Sequence, residues 1–153
     1  MKYIRLSALL VPFIVSSACS SDDGLQKFPK KLEARTFTVN TPHNWNLFED
    51  QGIDTYIGRI AGLKDTIYFD QGYLSFGSLE NIYEDENTLL FRRLKIDGVP
   101  SILHKEKRIA DSGDIRLSIY IDAGDGIRLN RMYVFDPTDE EKIIRIFRSH
   151  QFR

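Results

Sequence analysis

The strand pattern that decides the fold is clearest at residues 115–121, which read IRLSIYI. Apolar side chains occupy the odd positions, and a period of two is typical of a half-buried β-strand. Residues 122–126, DAGDG, supply a glycine-rich turn into residues 127–135, a second segment rich in apolar side chains. The two segments predict an antiparallel hairpin in which the odd residues of 115–121 face the core and the even ones face outward.

A second hairpin is predicted at Asp97-Gly98, a dipeptide that favours a two-residue turn between antiparallel strands. It joins residues 89–96 to residues 99–105, and Pro100 places the second arm at a sheet edge or a bulge, because proline lacks the N–H of the ladder. Trp45, with Leu47 and Phe48, is predicted to cover one end of the core. Further strands are predicted at residues 35–39, 54–60, 65–69 and 73–76, with a tight turn at 70–72 and an acidic loop at 81–87.

The main helix signal lies near the end of the chain. Residues 138–141, TDEE, fit a capping box, and acidic residues are favourable at the positive end of a helix. Ile143, Ile144 and Phe147 follow at the spacing of an apolar stripe, before a short strand around residues 151–152. The fold class predicted is therefore α+β, a twisted antiparallel sheet with a few flanking helices.

The first eighteen residues predict a cleaved signal peptide. Lys2 and Arg5 precede an apolar run at residues 6–15 and the small residues 16–18, which is the order of a secretory signal. The apolar run has ten residues, whereas a membrane-spanning helix needs about 20. Removing residues 1–18 leaves 19 basic and 22 acidic residues, and this net charge of −3 gives no reason to expect nucleic acid as a partner.

Cys19 indicates which kind of signal this is. It is the only cysteine of the chain, so a disulfide within the chain is excluded and a lone exported thiol calls for modification or intermolecular pairing. Residues 15–19, VSSAC, resemble a lipobox, although Ser16 stands where leucine is commonest and an ordinary cut before Cys19 also fits. The resemblance implies that Cys19 carries a lipid, palmitate included, which anchors the mature protein to a membrane.

Residues 20–24, SSDDG, resemble the short acidic export signal of lipoproteins in Bacteroidota-type bacteria. The resemblance implies a lipid-anchored protein of the bacterial outer membrane that is exposed at the cell surface. The alternative is the periplasmic face, with the same residues as an ordinary flexible tether. The domain organisation predicted is a signal peptide at 1–18, a flexible tether at 19–31 and one α+β domain at 32–153.

Scattered positions of the domain resemble the PsbP-like fold group. A Phe-containing strand leads into Thr41, Pro42 and Trp45, and a late helix runs into the closing residues 149–152. The resemblance implies a twisted antiparallel sheet between helices, in a group that mostly binds partners and is mostly non-enzymatic. Residues 51–58 and 67–72 are also similar to uncharacterised lipoproteins of Bacteroidota-type bacteria. A shared fold does not by itself fix a function.

The sequence contains few residues that indicate a catalytic, metal or cofactor site. His43, His104 and His150 are far apart and lack zinc-ligand spacing, so exposed or capping roles are expected and no metal is predicted. Neither a nucleophile motif nor a phosphate-binding loop is present, which predicts no catalytic residues and no cofactor. Asp122 and Asp125 flank a glycine turn, where acidic residues are ordinary turn formers as well as calcium ligands.

Two candidate sites remain. Arg116, Tyr120, Arg128 and Asn130 are predicted to share one outward surface across the hairpin at 122–126, and Arg and Tyr are enriched at binding hot spots. Thr66, in Asp65-Thr66-Ile67, resembles the three-residue O-glycosylation acceptor of some Bacteroidota-type bacteria, although the same residues also begin a strand.

The function predicted is a lipid-anchored, non-enzymatic accessory or binding domain. Its partners are the membrane, through the lipid on Cys19, and an envelope protein or a surface glycan. One alternative is a small hydrolase or metal-dependent enzyme of the envelope, which needs a concave site that gathers His43, His104 or the acidic loops. Another is a structural subunit of an envelope complex.

Overall fold

The computed structural model describes residues 28–108 and 114–153, which fold as α+β with 51% of residues in strands and two short helices. The strands are β1 Lys30–Glu33, β2 Phe37–Thr41, β3 Asn46–Gln51, β4 Tyr56–Ala61, β5 Thr66–Gln71, β6 Thr88–Ile96, β7 Val99–Lys107, β8 Ile115–Asp122, β9 Leu129–Phe135 and β10 Gln151–Phe152. The helices are α1 Tyr73–Phe76 and α2 Glu140–Arg148, and a 3-10 turn covers Leu79–Asn81.

Two antiparallel sheets organise the described part of the chain. The large sheet has seven strands in the order β3-β4-β5-β9-β8-β7-β6, and the small sheet has the order β1-β2-β10. Helix α2 contacts β2, so the small sheet and α2 cover one face of the large sheet. We call residues 28–45 and 138–153 the small-sheet layer, the covered face the core face, and the opposite face of the large sheet the outer face.

The core lies between the core face and the small-sheet layer. Phe37 of β2 meets Phe69 of β5 edge to face, with ring centroids 5.1 Å apart. Fully buried aliphatic residues of β4, β5, β8 and β9 surround this contact, which confirms that the odd residues of β8 face the core: Ile60, Ile67, Leu117, Ile119, Ile121 and Met132. Trp45 is buried at one end, as predicted, whereas Phe48 is exposed.

The β6–β7 hairpin confirms the turn predicted at Asp97-Gly98. Both residues have positive φ, 51° and 79°, which is the conformation of a type I′ turn and matches the twist of antiparallel strands. Strand β7 lies between β6 and β8, so Pro100 is not on an edge strand. Pairing with β8 begins only at Ser101, however, so the missing N–H of Pro100 lies beyond the β7–β8 ladder.

Three segments differ from the secondary structure predicted. Residues 73–76 form α1 rather than a strand, because β5 continues through Gln71 and Gly72 turns the chain at φ 126°. Residues 46–51 form β3, which the sequence does not predict because its acidic and amide side chains are not typical of a strand. The first strand begins at Lys30, so it includes the last two residues of the predicted tether.

Helix α2 lies where the sequence predicts a helix, but its N-cap residue and its buried stripe differ from the prediction. The N-cap is Asp139, whose side chain accepts a 3.0 Å hydrogen bond from the Lys142 backbone N–H, rather than Thr138. Ile143, Ile146 and Phe147 are fully buried, while Ile144 is only half-buried.

The predicted signal peptide, Cys19 and the acidic SSDDG segment lie outside the described residues. None of the helices in residues 28–108 and 114–153 has the length and hydropathy needed to cross a membrane.

Candidate binding face

The surface predicted from Arg116, Tyr120, Arg128 and Asn130 is not formed. The hairpin pairs Tyr120 with Arg131 and Ile121 with Asn130, so even residues of β8 share a face with odd residues of β9. Asn130 therefore lies on the core face, where it is fully buried, and Arg128 precedes β9 in the turn. Tyr120 is on the outer face, but it is only 4% exposed, because Phe76 of α1 packs edge-on against it at 5.3 Å.

The true neighbours of Arg116 and Tyr120 on the outer face are Arg131, Tyr133 and Phe135 of β9. The sequence does not predict these neighbours, because Tyr and Phe count as apolar and either the odd or the even residues of β9 could therefore face the core. The signal that separates the two parities is Arg131 on one side and Met132 with Val134 on the other, because an arginine is rarely buried in an apolar core.

The centre of the outer face is an aromatic cluster that crosses β5 and β9. Tyr68 and Tyr133 form a cross-strand pair whose rings stack at 5.5 Å and 24°. Phe135 meets Tyr133 edge-on at 5.5 Å. Tyr68 is 39% exposed, so the cluster presents apolar surface to solvent. Aromatic side chains of this kind supply large contact area with a polar tip.

Guanidinium groups lie against these rings. The Arg131 guanidinium is 5.1 Å from the Tyr133 ring centroid and forms a 3.1 Å ion pair with Asp70. The Arg59 guanidinium lies 4.9 Å from the ring of Phe48, which is 45% exposed. These residues lie on the strands that border the aromatic cluster, and cation–π contacts hold each guanidinium in place.

A shallow depression of about 230 Å³ opens on this face. Two carboxylates, one guanidinium and two tyrosines contribute to its walls: Asp50, Asp70, Arg59, Tyr68 and Tyr133, together with Ile57, Gly58 and Phe69. The Oδ1 atom of Asp70 and the Nε atom of Arg131 are buried and have no hydrogen-bond partner among the described residues. The depression is too open to enclose a small substrate, and its mixture of exposed aromatic and charged groups suits contact with a larger partner.

His104 lies on the outer face in a different cluster, at the far end of β6 and β7. The Thr88 hydroxyl lies 3.2 Å from His104 Nε2, and His104 Nδ1 lies 4.0 Å from a carboxylate oxygen of Glu106. This order of hydroxyl, imidazole and carboxylate is also that of a nucleophile, its base and an orienting acid.

The hydrogen bond that the Thr88 hydroxyl donates is not compatible with Thr88 acting as a nucleophile activated by His104. The Thr88 hydroxyl donates to Asp85 at 2.9 Å, and this hydrogen bond, followed by that from the Asn87 backbone N–H, lowers the pKa of Asp85. A hydroxyl has one proton, so His104 can only donate to Thr88 and is not placed to act as its base. His104 is 6% exposed, which makes the prediction of an exposed or capping histidine wrong.

His150 is also buried, again contrary to the prediction, and only His43 is exposed. The His150 ring stacks on Phe37 at 5.1 Å and meets Phe152 edge-on at 4.6 Å. Its Nε2 lies 2.9 Å from Nδ2 of Asn130, a contact in which the amide donates to a neutral imidazole. Burial lowers the pKa of His150 to about 3, so the ring is a neutral part of the core.

The acidic turn between β8 and β9 satisfies its own backbone. Asp125 accepts hydrogen bonds from the Ile127 and Arg128 backbone N–H groups and from Arg128 Nε, at 3.0, 2.7 and 2.6 Å. These bonds, those from Arg128 first, hold the pKa of Asp125 well below its usual range. Across residues 28–108 and 114–153, no group of three or more His, Cys, Asp or Glu side chains is arranged to hold a metal ion.

Thr66 is half-buried at the start of β5, and the neighbouring Asp65 carboxylate points inward. Asp65 accepts hydrogen bonds of 2.7 Å from both the backbone N–H and the hydroxyl of Thr138, which fixes β5 to the start of α2. The structure thus gives Asp65 a structural role, and glycosylation of Thr66 stays a prediction that the intact mass of the native protein would test.

Comparison with known proteins identifies no family. No family model matches the chain, and no curated protein matches it. A crystal structure of a Bacteroides thetaiotaomicron protein superposes with a TM-score of 0.46 at 13% identity, over 76% of this chain. The match spans 45% of that protein's own length.

Proposed function

We propose that the protein is a lipid-anchored, non-enzymatic binding domain of the bacterial outer membrane, and that the outer face is its contact surface. The observation that carries the proposal is the aromatic and arginine cluster on β3, β4, β5 and β9. Tyr68, Phe48 and Arg59 are exposed there. Exposed aromatic side chains are not needed to pack the core on the other face of the sheet. Exposed apolar patches of this kind mark interaction sites.

The residue types of the outer face match those of protein and glycan interfaces. Tyrosine and arginine are enriched at energetic hot spots, and a rim of polar groups surrounds such centres. The Arg131–Asp70 pair and the Tyr68–Tyr133 stack hold the surface in one geometry before a partner arrives. Preorganisation of this kind reduces the entropy lost on binding. The partner proposed is an envelope protein or a surface glycan.

Anchoring through Cys19 belongs to the same proposal, and its support is the lipobox-like sequence alone. Surface exposure is proposed on the acidic segment after Cys19, and the periplasmic face is the alternative. The PsbP-like assignment is also a proposal, and the antiparallel sheet with α2 on one face is consistent with it.

Site-specific photocrosslinking tests the contact surface. A photoreactive phenylalanine analogue placed at position 68 should give a discrete adduct in intact cells. The same analogue at Tyr83, which is 70% exposed outside the sheets, serves as the matched control. Identical adduct patterns at both positions, or none at position 68, would reject the outer face as the contact surface. Membrane fractionation of Cys19→Ser, compared with wild type, tests the anchor separately.

A further inference from the structure

Charge is distributed unevenly between the two sides of the domain. The small-sheet layer, residues 28–45 and 138–153, contains seven Lys and Arg residues and four Asp and Glu residues. The remaining described residues, 46–108 and 114–137, contain eleven and fifteen. The small-sheet layer therefore carries a net charge of +3, while the rest carries −4, within a chain whose overall charge is negative.

The positive charges of the small-sheet layer are accessible. Lys31 of β1, Arg148 in the last turn of α2 and Arg153 after β10 are all exposed. Lys31 lies 3.6 Å from Glu33 and Arg153 lies 3.9 Å from the same residue, but these side chains are all more than half exposed, so their ion pairs are weak in water. The field of such a surface extends about 8 Å at physiological salt.

The described chain also begins in this layer. Phe28 is its first residue, and the Arg145 guanidinium of α2 lies 4.3 Å from the Phe28 ring centroid. Cys19 is nine residues earlier, and nine extended residues span at most about 30 Å. A lipid on Cys19 therefore lies within about 30 Å of Phe28, and Phe28 itself is on the side of the domain opposite the outer face.

We propose that the small-sheet layer rests on the anionic membrane surface to which Cys19 is anchored, so that the outer face is directed away from the membrane. The inference depends on the proposed lipidation of Cys19. Each Lys or Arg near an anionic surface contributes favourably, although three net charges would hold a free protein only weakly. The anchor keeps the layer at a high effective concentration near the lipid, so a weak attraction is enough to orient the domain.

Energy transfer from two positions measures this orientation. The test uses the lipidated protein reconstituted into vesicles of phosphatidylcholine alone or with about 30% phosphatidylglycerol, containing an acceptor dye on the lipid headgroups. An acylated Cys19 leaves no other thiol in the chain, so a donor dye can be attached to Gln151→Cys in the small-sheet layer or to Asn81→Cys beside the outer face. Both positions are exposed.

With phosphatidylglycerol present, energy transfer from position 151 should exceed energy transfer from position 81 by about twofold or more. A few basic residues are enough to orient the domain on an anionic surface once the anchor is inserted. The difference in energy transfer between the two positions should vanish in the triple variant Lys31→Gln/Arg148→Gln/Arg153→Gln. It should persist in the triple variant Arg92→Gln/Arg93→Gln/Lys95→Gln, which removes the same charge from exposed positions of β6, outside the small-sheet layer.

Equal transfer from both positions in wild type, or equal loss in both triple variants, would overturn the orientation while leaving the anchor intact. A wild-type protein that keeps a free Cys19 thiol and stays in solution would overturn the anchor, and the orientation with it.

Discussion

The side chains on the two faces of the large sheet have different roles. On the core face, Ile60, Ile67 and Met132 are fully buried and contribute through volume alone. On the outer face, Tyr68 and Phe48 stay well exposed, and Arg131 and Asp70 form a partly buried ion pair. Packing explains the first set, because a close-packed core needs only shape and apolar surface. It does not explain the second, and that difference is the reason to look for function on the outer face.

The largest effect expected is that of emptying the core. Phe147 of α2 is fully buried, so Phe147→Ala should lower the free energy of unfolding by about 3–5 kcal/mol. Phe48→Ala, which removes the same side chain from the outer face at 45% exposure, should cost less than about 1 kcal/mol. Denaturant unfolding of both variants measures the contrast. Equal losses would mean that the two faces do not differ in their contribution to stability.

Acid should act on the core through His150. An unfolded histidine takes up a proton below pH 6.5, whereas burial lowers the folded pKa to about 3. Stability is therefore unaffected by this group above pH 6.5 and is lost as the pH falls from 6.5 towards 3. At about pH 4.5 the loss should be on the order of 3 kcal/mol, because each pH unit below 6.5 contributes about 1.4 kcal/mol.

His150→Gln should remove that part of the pH dependence, because glutamine can still accept the hydrogen bond from Asn130 and does not titrate. Urea unfolding at several pH values compares the variant with wild type. His43→Gln, at an exposed position, is the control and should leave the slope unchanged. A slope that survives in His150→Gln would show that carboxylates, not the buried histidine, cause the acid sensitivity.

A smaller effect is expected where a polar bond joins the large sheet to the small-sheet layer. Asp65→Ala removes the buried carboxylate that accepts hydrogen bonds from the backbone N–H and the hydroxyl of Thr138, and it should cost about 1–3 kcal/mol. Asp54→Ala, at an exposed carboxylate, should be nearly neutral by comparison. Thermal unfolding of the two variants tests this, and equal melting temperatures would remove the role assigned to Asp65.

The smallest effect on stability, with the largest on function, is expected at Tyr68. Its stack on Tyr133 is a cross-strand pair worth about 0.2–1 kcal/mol, so Tyr68→Ala should unfold nearly as wild type does. The same change should reduce capture of the partner identified by crosslinking, whereas Tyr83→Ala should not. A Tyr68→Ala variant that binds normally would leave the outer face as an ordinary solvated surface.

The sequence determined the features that depend on neighbouring residues. Asp97-Gly98 fixed a type I′ turn because both residues accept positive φ, and the period of two in residues 115–121 fixed which side of β8 is buried. The helix at 140–148 followed from its acidic start and its apolar stripe. In each case the decisive information lies within a few residues of the chain.

Only the tertiary structure decided which residues meet on the outer face. The register of β8 with β9 places Arg131 beside Tyr120 and moves Asn130 into the core, and a shift of one residue would reverse both. Likewise, α1 covers Tyr120, and the return of β10 beside β2 buries His150 against Phe37. These contacts join residues distant in sequence, and their geometry is set by how the whole sheet closes over its core rather than by local propensity.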